Sequence, residues 1–135
     1  MDLSKRYILM CKKAKEIQKR CKYKSDDLFV IQKFRQKIKY HFEIDWVEEL
    51  VSEIIWLPRQ DQLQEMLKPN NYFWNTMAME NVLKEMREAY GILLESPYFD
   101  SGEQFWLAYV MWKKYKKIWS DSDKQWIIKK NKNGG

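Results

Sequence analysis

Phe105-Trp106-Leu107-Ala108-Tyr109-Val110-Met111-Trp112, continued by Tyr115, Ile118, Trp119 and Trp126, is the stretch on which the fold turns. Four of the seven tryptophans fall between Phe105 and Trp126, among a dense set of lysines. So much aromatic surface must be buried, either in the chain's own core or against a partner. At helical spacing Phe105, Ala108, Tyr109, Trp112 and Trp119 gather on one face, while Lys113, Lys117 and Lys124 lie off it. An amphipathic core helix with a solvated lysine face is the plain reading. The interleaving of Lys113, Lys114, Lys116 and Lys117 with Trp112, Tyr115 and Trp119 also suits nucleic acid, through phosphate contact and base stacking.

Working outward, Ser96–Gly102 reads as a loop, and Asp100 with Glu103 or Ser101 with Gln104 supplies a capping box for a helix over 103–119. Ser120-Asp121-Ser122-Asp123 is a turn, Trp126-Ile127-Ile128 a short edge strand, and residues 129–135 a disordered tail. Before the loop, residues 76–95 make a helix with Met79, Leu83, Met86, Tyr90 and Leu93/Leu94 on one side, slightly weakened by Gly91. Residues 58–68 fit a short helix, opened by Pro58 and stopped by Pro69.

At the other end, Leu3, Tyr7, Met10, Ala14, Ile17 and Cys21 repeat at spacings of four and three, an apolar stripe along a helix over 3–22. That helix docks on its own domain; a homodimer seam is the alternative. Residues 26–46 fit two periods. Ile38, Tyr40, Phe42, Ile44 and Trp46 alternate as in a half-buried strand, and Leu28–Ile31 is rich in strand formers, which together suggest a β-hairpin. Leu28, Ile31, Phe34, Ile38 and Phe42 also suit a helix, and no tight-turn residue separates the two runs. Val47 to Ile55 follows helical spacing up to Pro58.

The expected fold is therefore α+β: a mostly helical single domain over 1–128, with a small antiparallel β-hairpin or three-stranded sheet and a Trp-rich C-terminal core helix. A chain of 135 residues with 45% apolar composition can bury such a core. No apolar run approaches the ~18 residues that cross a bilayer, and the N-terminus lacks a signal-peptide pattern. A cytoplasmic protein without membrane contact is the expectation.

Charge is laid out in blocks. Residues 1–44 hold 13 basic and 5 acidic side chains, 45–104 hold 4 and 12, and 105–135 hold 8 and 2. Either the basic ends cover the acidic middle in ordinary surface pairs, or they present a basic face to an acidic partner. The candidate contacts for nucleic acid or an acidic partner are Lys12, Lys13, Lys19, Arg20, Lys113, Lys116 and Lys117.

Little in the sequence supports chemistry. The sole histidine, His41, lies on the polar phase of the expected strand with no orienting partner in view. Asp26-Asp27 and Glu48-Glu49 diverge on any regular element, and Asp26-Asp27 reads as a turn into a strand. Asp121-Ser122-Asp123 opens like a calcium loop but lacks its glycine and glutamate. Cys11 and Cys21 lack zinc spacing and, on one helix, cannot bridge. With four glycines in all and no phosphate-loop motif, a phosphate cradle is excluded. The expectation is no catalytic residue, no metal and no cofactor.

Three stretches carry a resemblance. Leu3-Ser4-Lys5-Arg6-Tyr7-Ile8-Leu9-Met10-Cys11-Lys12-Lys13-Ala14 with Ile17-Gln18 is the first. Trp56-Leu57-Pro58-Arg59-Gln60-Asp61-Gln62-Leu63-Gln64 is the second, and Ser101-Gly102-Glu103-Gln104-Phe105-Trp106-Leu107-Ala108-Tyr109-Val110-Met111 the third. In that order they resemble small proteins encoded by phages and prophages of low-GC Gram-positive bacteria, a group without a known active site. The charged segment 33–53 does not match. The resemblance implies an accessory protein that works by binding a host or phage protein, with inhibition of a host defence nuclease complex of the CRISPR type as its sharpest form.

Overall fold

The computed structural model describes residues 2–22, 27, 29–31, 54–67, 78–91 and 98–129. The fold is α+β and mostly helical, with antiparallel strands in pairs. The chain falls into two compact units, Met1–Arg59 and Gln60–Gly135.

In the first unit, Ser4 caps α1 (Lys5–Lys13): its hydroxyl accepts from the Tyr7 N–H, while the Ser4 N–H donates to Asp2. The expected helix over 3–22 is broken at Ala14, whose ψ of 72° leaves the helical region, and resumes as α2 (Lys15–Gln18). The middle of the stripe survives the break, because Tyr7, Met10, Ala14 and Ile17 are fully buried together with Cys11, while its ends, Leu3 and Cys21, are half-buried. Tyr7 Oη donates to the Pro58 carbonyl, tying α1 to the chain beyond the strands.

β1 (Phe29–Ile31) is a strand, as its composition suggested, but it pairs with β2 (Ile54–Trp56) in the register Phe29↔Trp56, Val30↔Ile55, Ile31↔Ile54. Ile54 and Ile55 therefore belong to a strand, not to the end of a helix. The hairpin expected between 28–31 and 38–46, His41, Glu48-Glu49 and the helical reading from Val47 to Glu53 lie outside the described residues. At Trp56 the Gln18 carboxamide stands in for a neighbouring strand: its Oε1 accepts from the Trp56 N–H at 2.9 Å and its Nε2 donates to the Trp56 carbonyl at 2.9 Å. The same Nε2 reaches the Cys11 carbonyl at 3.0 Å.

The second unit is built around α5 (Gly102–Tyr115), which packs on α3 (Gln60–Glu65), α4 (Ala78–Tyr90) and β3 (Lys117–Ser120). Ser101 is its N-cap, accepting from the Gln104 N–H at 3.1 Å, and the buried Gln104 side chain returns to the Asp100 N–H at 3.1 Å. This is the Ser101–Gln104 form of the capping box, shifted by one residue on the return bond. Trp106 to Met111 are six consecutive buried residues. A helix apolar all round is one enclosed on all sides, so the single-face reading is too narrow, and Phe105 and Trp112 are only half-buried.

The helix also stops earlier than expected, at Tyr115. Lys116 takes the left-handed conformation (φ 56°) and its N–H closes on the Met111 and Trp112 carbonyls. Trp119 therefore sits on β3, which turns through Asp121–Lys124 into β4 (Gln125–Ile128). Trp119 faces Trp126 across the ladder, ring centroids 5.2 Å apart. On α4 the buried side chains are Val82, Met86, Ala89 and Tyr90, while Met79 and Leu83 lie exposed. The stripe is thus rotated from the one expected. Gly91, with φ 61°, ends α4 in a backbone state open to glycine, instead of weakening the middle of a longer helix.

Candidate binding surfaces

The seven sequence-predicted cations divide between the two units. Lys12 and Lys13 occupy the last turn of α1, where positive charge complements the helix dipole. Lys19 and Arg20 follow α2. All four are exposed, because the 4,3 spacing that turns Tyr7, Met10, Ala14 and Ile17 inward leaves them outward. Among the described residues none of the four pairs with a carboxylate.

Lys113, Lys116 and Lys117 are brought together where α5 passes into β3. Lys113 Nζ lies 2.9 Å from Glu85 Oε1, and Tyr109 Oη donates to the other oxygen, Oε2, at 2.9 Å. One carboxylate thereby ties α4 to α5. Lys116 is exposed, with Nζ 5.0 Å from the centre of the half-buried Trp112 ring, a cation–π contact. Lys117 is half-buried and directly opposite Ile128. Sequence reading had no means of finding the Glu85 junction or the left-handed backbone at Lys116, since each depends on tertiary neighbours.

Among the described residues, the two groups whose acidity is clearly displaced are both buried. Burial above all pushes the Cys11 thiol far above its usual range; Tyr7 pulls back and Asp2 adds to the rise. Burial likewise raises the Tyr109 phenol, and the Glu85 carboxylate that accepts its proton raises it further. Such shifts mark buried groups, not activated nucleophiles. Neither Cys11 nor Cys21 is in a disulfide, and Cys21 Sγ lies 3.8 Å from Asp27 Oδ2. Asp27 is buried just before β1, in keeping with a turn into a strand.

In the β3–β4 turn, Asp121 accepts from the Trp119 indole N–H at 2.8 Å, and Asp123 engages the Ser120 hydroxyl through both its N–H and its carboxylate. The pair is used locally. Among the described residues no group of three or more His, Cys, Asp or Glu side chains could hold a metal ion, and no helix is long and apolar enough to cross a membrane. No protein-family model matches this chain, and no curated protein or solved structure is significantly similar to it.

Proposed function

We propose that this chain is a non-enzymatic binding protein that engages an acidic protein partner through its surface cations. The observation that carries the reading is the set Lys12, Lys13, Lys19 and Arg20, exposed along α1 and α2 and unpaired among the described residues. Cations that meet no carboxylate among the described residues are available to a partner's charge, which speeds encounter and selects for acidic surfaces. In its sharpest form, drawn from the resemblance of the three stretches, the protein is a phage accessory factor in the host cytoplasm that blocks a host defence nuclease complex.

The test is capture from host lysate by the tagged full chain, with and without nuclease, beside the variant Lys12→Glu/Lys13→Glu/Lys19→Glu/Arg20→Glu. A protein retained through nuclease treatment and lost with the variant is expected. A partner that elutes with nuclease sinks the reading in favour of nucleic acid. That second reading draws on the Lys116–Trp112 contact beside Lys113 and Lys117, a lysine-and-indole surface of the kind that holds a phosphate backbone and a stacked base. It requires binding of oligonucleotides that weakens steeply with salt.

A further inference from the structure

Between Asp2 and Lys22 every exposed side chain is a cation. Lys5, Lys15 and Lys22 join the four already placed on α1 and α2, which makes six lysines and one arginine. The stretch from Lys5 to Lys22 carries eight basic residues against a single acid, Glu16. None of the seven exposed side chains meets a carboxylate, a hydroxyl or a ring among the described residues.

The neutral hydrogen-bonding side chains of the same stretch are engaged elsewhere. Ser4 caps α1, Tyr7 Oη donates to the Pro58 carbonyl, and the Gln18 carboxamide is divided between Trp56 and Cys11. Tyr7, Met10, Ala14 and Ile17 point into the core. The exposed side chains thus offer charge, with no amide, hydroxyl or aromatic ring to read a shape or a base.

Anionic partners differ in what they need from such a face. A bilayer surface takes up a helix by its apolar side, and here that side is enclosed. A nucleic-acid backbone is gripped by cations together with hydroxyls, amides and main-chain N–H groups, and arginine leads there through its planar fork. This face exposes one arginine and none of the neutral side-chain donors. A folded acidic patch would have to hold seven long side chains in fixed positions. An exposed ion pair is worth little, and immobilising each lysine takes back a similar amount. Packed interfaces are depleted in lysine accordingly. A partner that is itself mobile avoids this cost. Its carboxylates stay within a Debye length of the lysines, about 8 Å at physiological salt, without any fixed pair.

We infer that α1 and α2 bind an unstructured run of aspartate and glutamate in the partner protein, held by charge density and not by fixed pairs. The inference rests on the protein-binding reading above and deepens it, since it names what the partner brings to that face. Segments so rich in one charge do not fold alone, which is the property this face asks for.

The test is fluorescence anisotropy with the full chain and labelled probes: a glutamate–glycine repeat peptide, its mirror image built from D-amino acids, the matching glutamine–glycine peptide, and a DNA duplex of equal charge. The glutamate peptide and its mirror image bind alike, because screened attraction has no handedness, and the glutamine peptide does not bind. Binding is lost at ~1 M salt, where the Debye length shrinks to ~3 Å. Lys5→Glu/Lys15→Glu/Lys22→Glu weakens the peptide about ten-fold, and Lys12→Glu/Lys13→Glu/Lys19→Glu does the same, since the number of charges and not their identity sets the affinity. These side chains are exposed, so circular dichroism stays unchanged. Glutamine at the same positions, which removes charge without adding repulsion, serves if a reversal disturbs folding.

A preference for one hand, no binding of the glutamate peptide, binding that survives ~1 M salt, or a loss confined to one of the two triple variants overturns the inference. So does a duplex held more tightly than the peptide and weakened by the same reversals. If a captured protein partner is lost with the four charge reversals yet the glutamate peptide does not bind, the acidic run is refuted and the binding reading stands. Capture of no protein at all sinks the reading itself.

Discussion

Glu85 is the residue where charge, hydrogen bonding and burial meet. Its carboxylate takes the Tyr109 phenol from inside the core and the Lys113 ammonium from the surface. Glu85→Ala leaves a buried phenol without its acceptor, and we expect a loss of ~1–3 kcal/mol in chemical denaturation. Lys113→Ala removes only a partly exposed pair and should cost under ~1 kcal/mol.

Tyr109 and Cys11 give stability a definite pH dependence. Both fold with raised pKa values, so the unfolded chain releases protons first, at about 8.5 for the thiol and about 10 for the phenol. Stability from these groups is complete below those values and declines as pH climbs past them. Thermal melts should be flat near neutral pH and fall above about pH 9, and Tyr109→Phe with Cys11→Ala should flatten the fall. In the native protein a thiol reagent should modify the half-buried Cys21 quickly and Cys11 only on unfolding.

At the scale of elements, most breaks are made by residues that carry no stop signal. Lys116 ends α5 in a left-handed conformation usually given to glycine. Lys116→Gly should therefore stabilise the protein by ~1 kcal/mol in urea melts, less whatever the contact with Trp112 contributes. This explains what the sequence made legible. The core helix, a cap at Asp100 or Ser101, a turn at Ser120–Asp123 (one residue short of the Asp121–Lys124 turn found) and a strand at Trp126–Ile128 all declare themselves through apolar spacing, cap chemistry and turn composition. The stop at Tyr115 does not, because lysine is an ordinary helix residue, and Trp119 was drawn onto a helix it does not join. Ile54 and Ile55 misled in the same way: a short apolar run suits strand or helix, and only pairing with β1 decides.

Gln18 was invisible for a different reason, since a polar residue on a helix gives no hint that its carboxamide completes a sheet. Gln18→Ala strips the partners from the Trp56 N–H and carbonyl and removes one donor from the Cys11 carbonyl, which keeps the Ala14 N–H. Calorimetry should register a loss of ~2–4 kcal/mol, and Gln18→Glu, which retains only the acceptor, should lie between.

For the molecule as a whole, the exposure of four of the candidate cations was legible in the sequence, and the neighbours of the other three were not. Lys12, Lys13, Lys19 and Arg20 stand out because a clear apolar stripe assigns them to solvent. The surroundings of Lys113, Lys116 and Lys117 depend on where α4 and β4 come to lie, which no local pattern encodes. Two strand pairs distant in the chain share one solution. At Trp56 and again at Trp119 the outward backbone groups of a tryptophan are closed by side chains, a glutamine in one case and two tyrosines in the other.

The edge-to-face indoles of Trp119 and Trp126, inclined at 61°, carry one more consequence. Electronic transitions on rings so near and so skewed mix with each other, so the hairpin contains its own optical gauge. A signed far-ultraviolet couplet should accompany the closed turn and vanish in Trp126→Leu, and its amplitude would follow the opening of this corner without any added label.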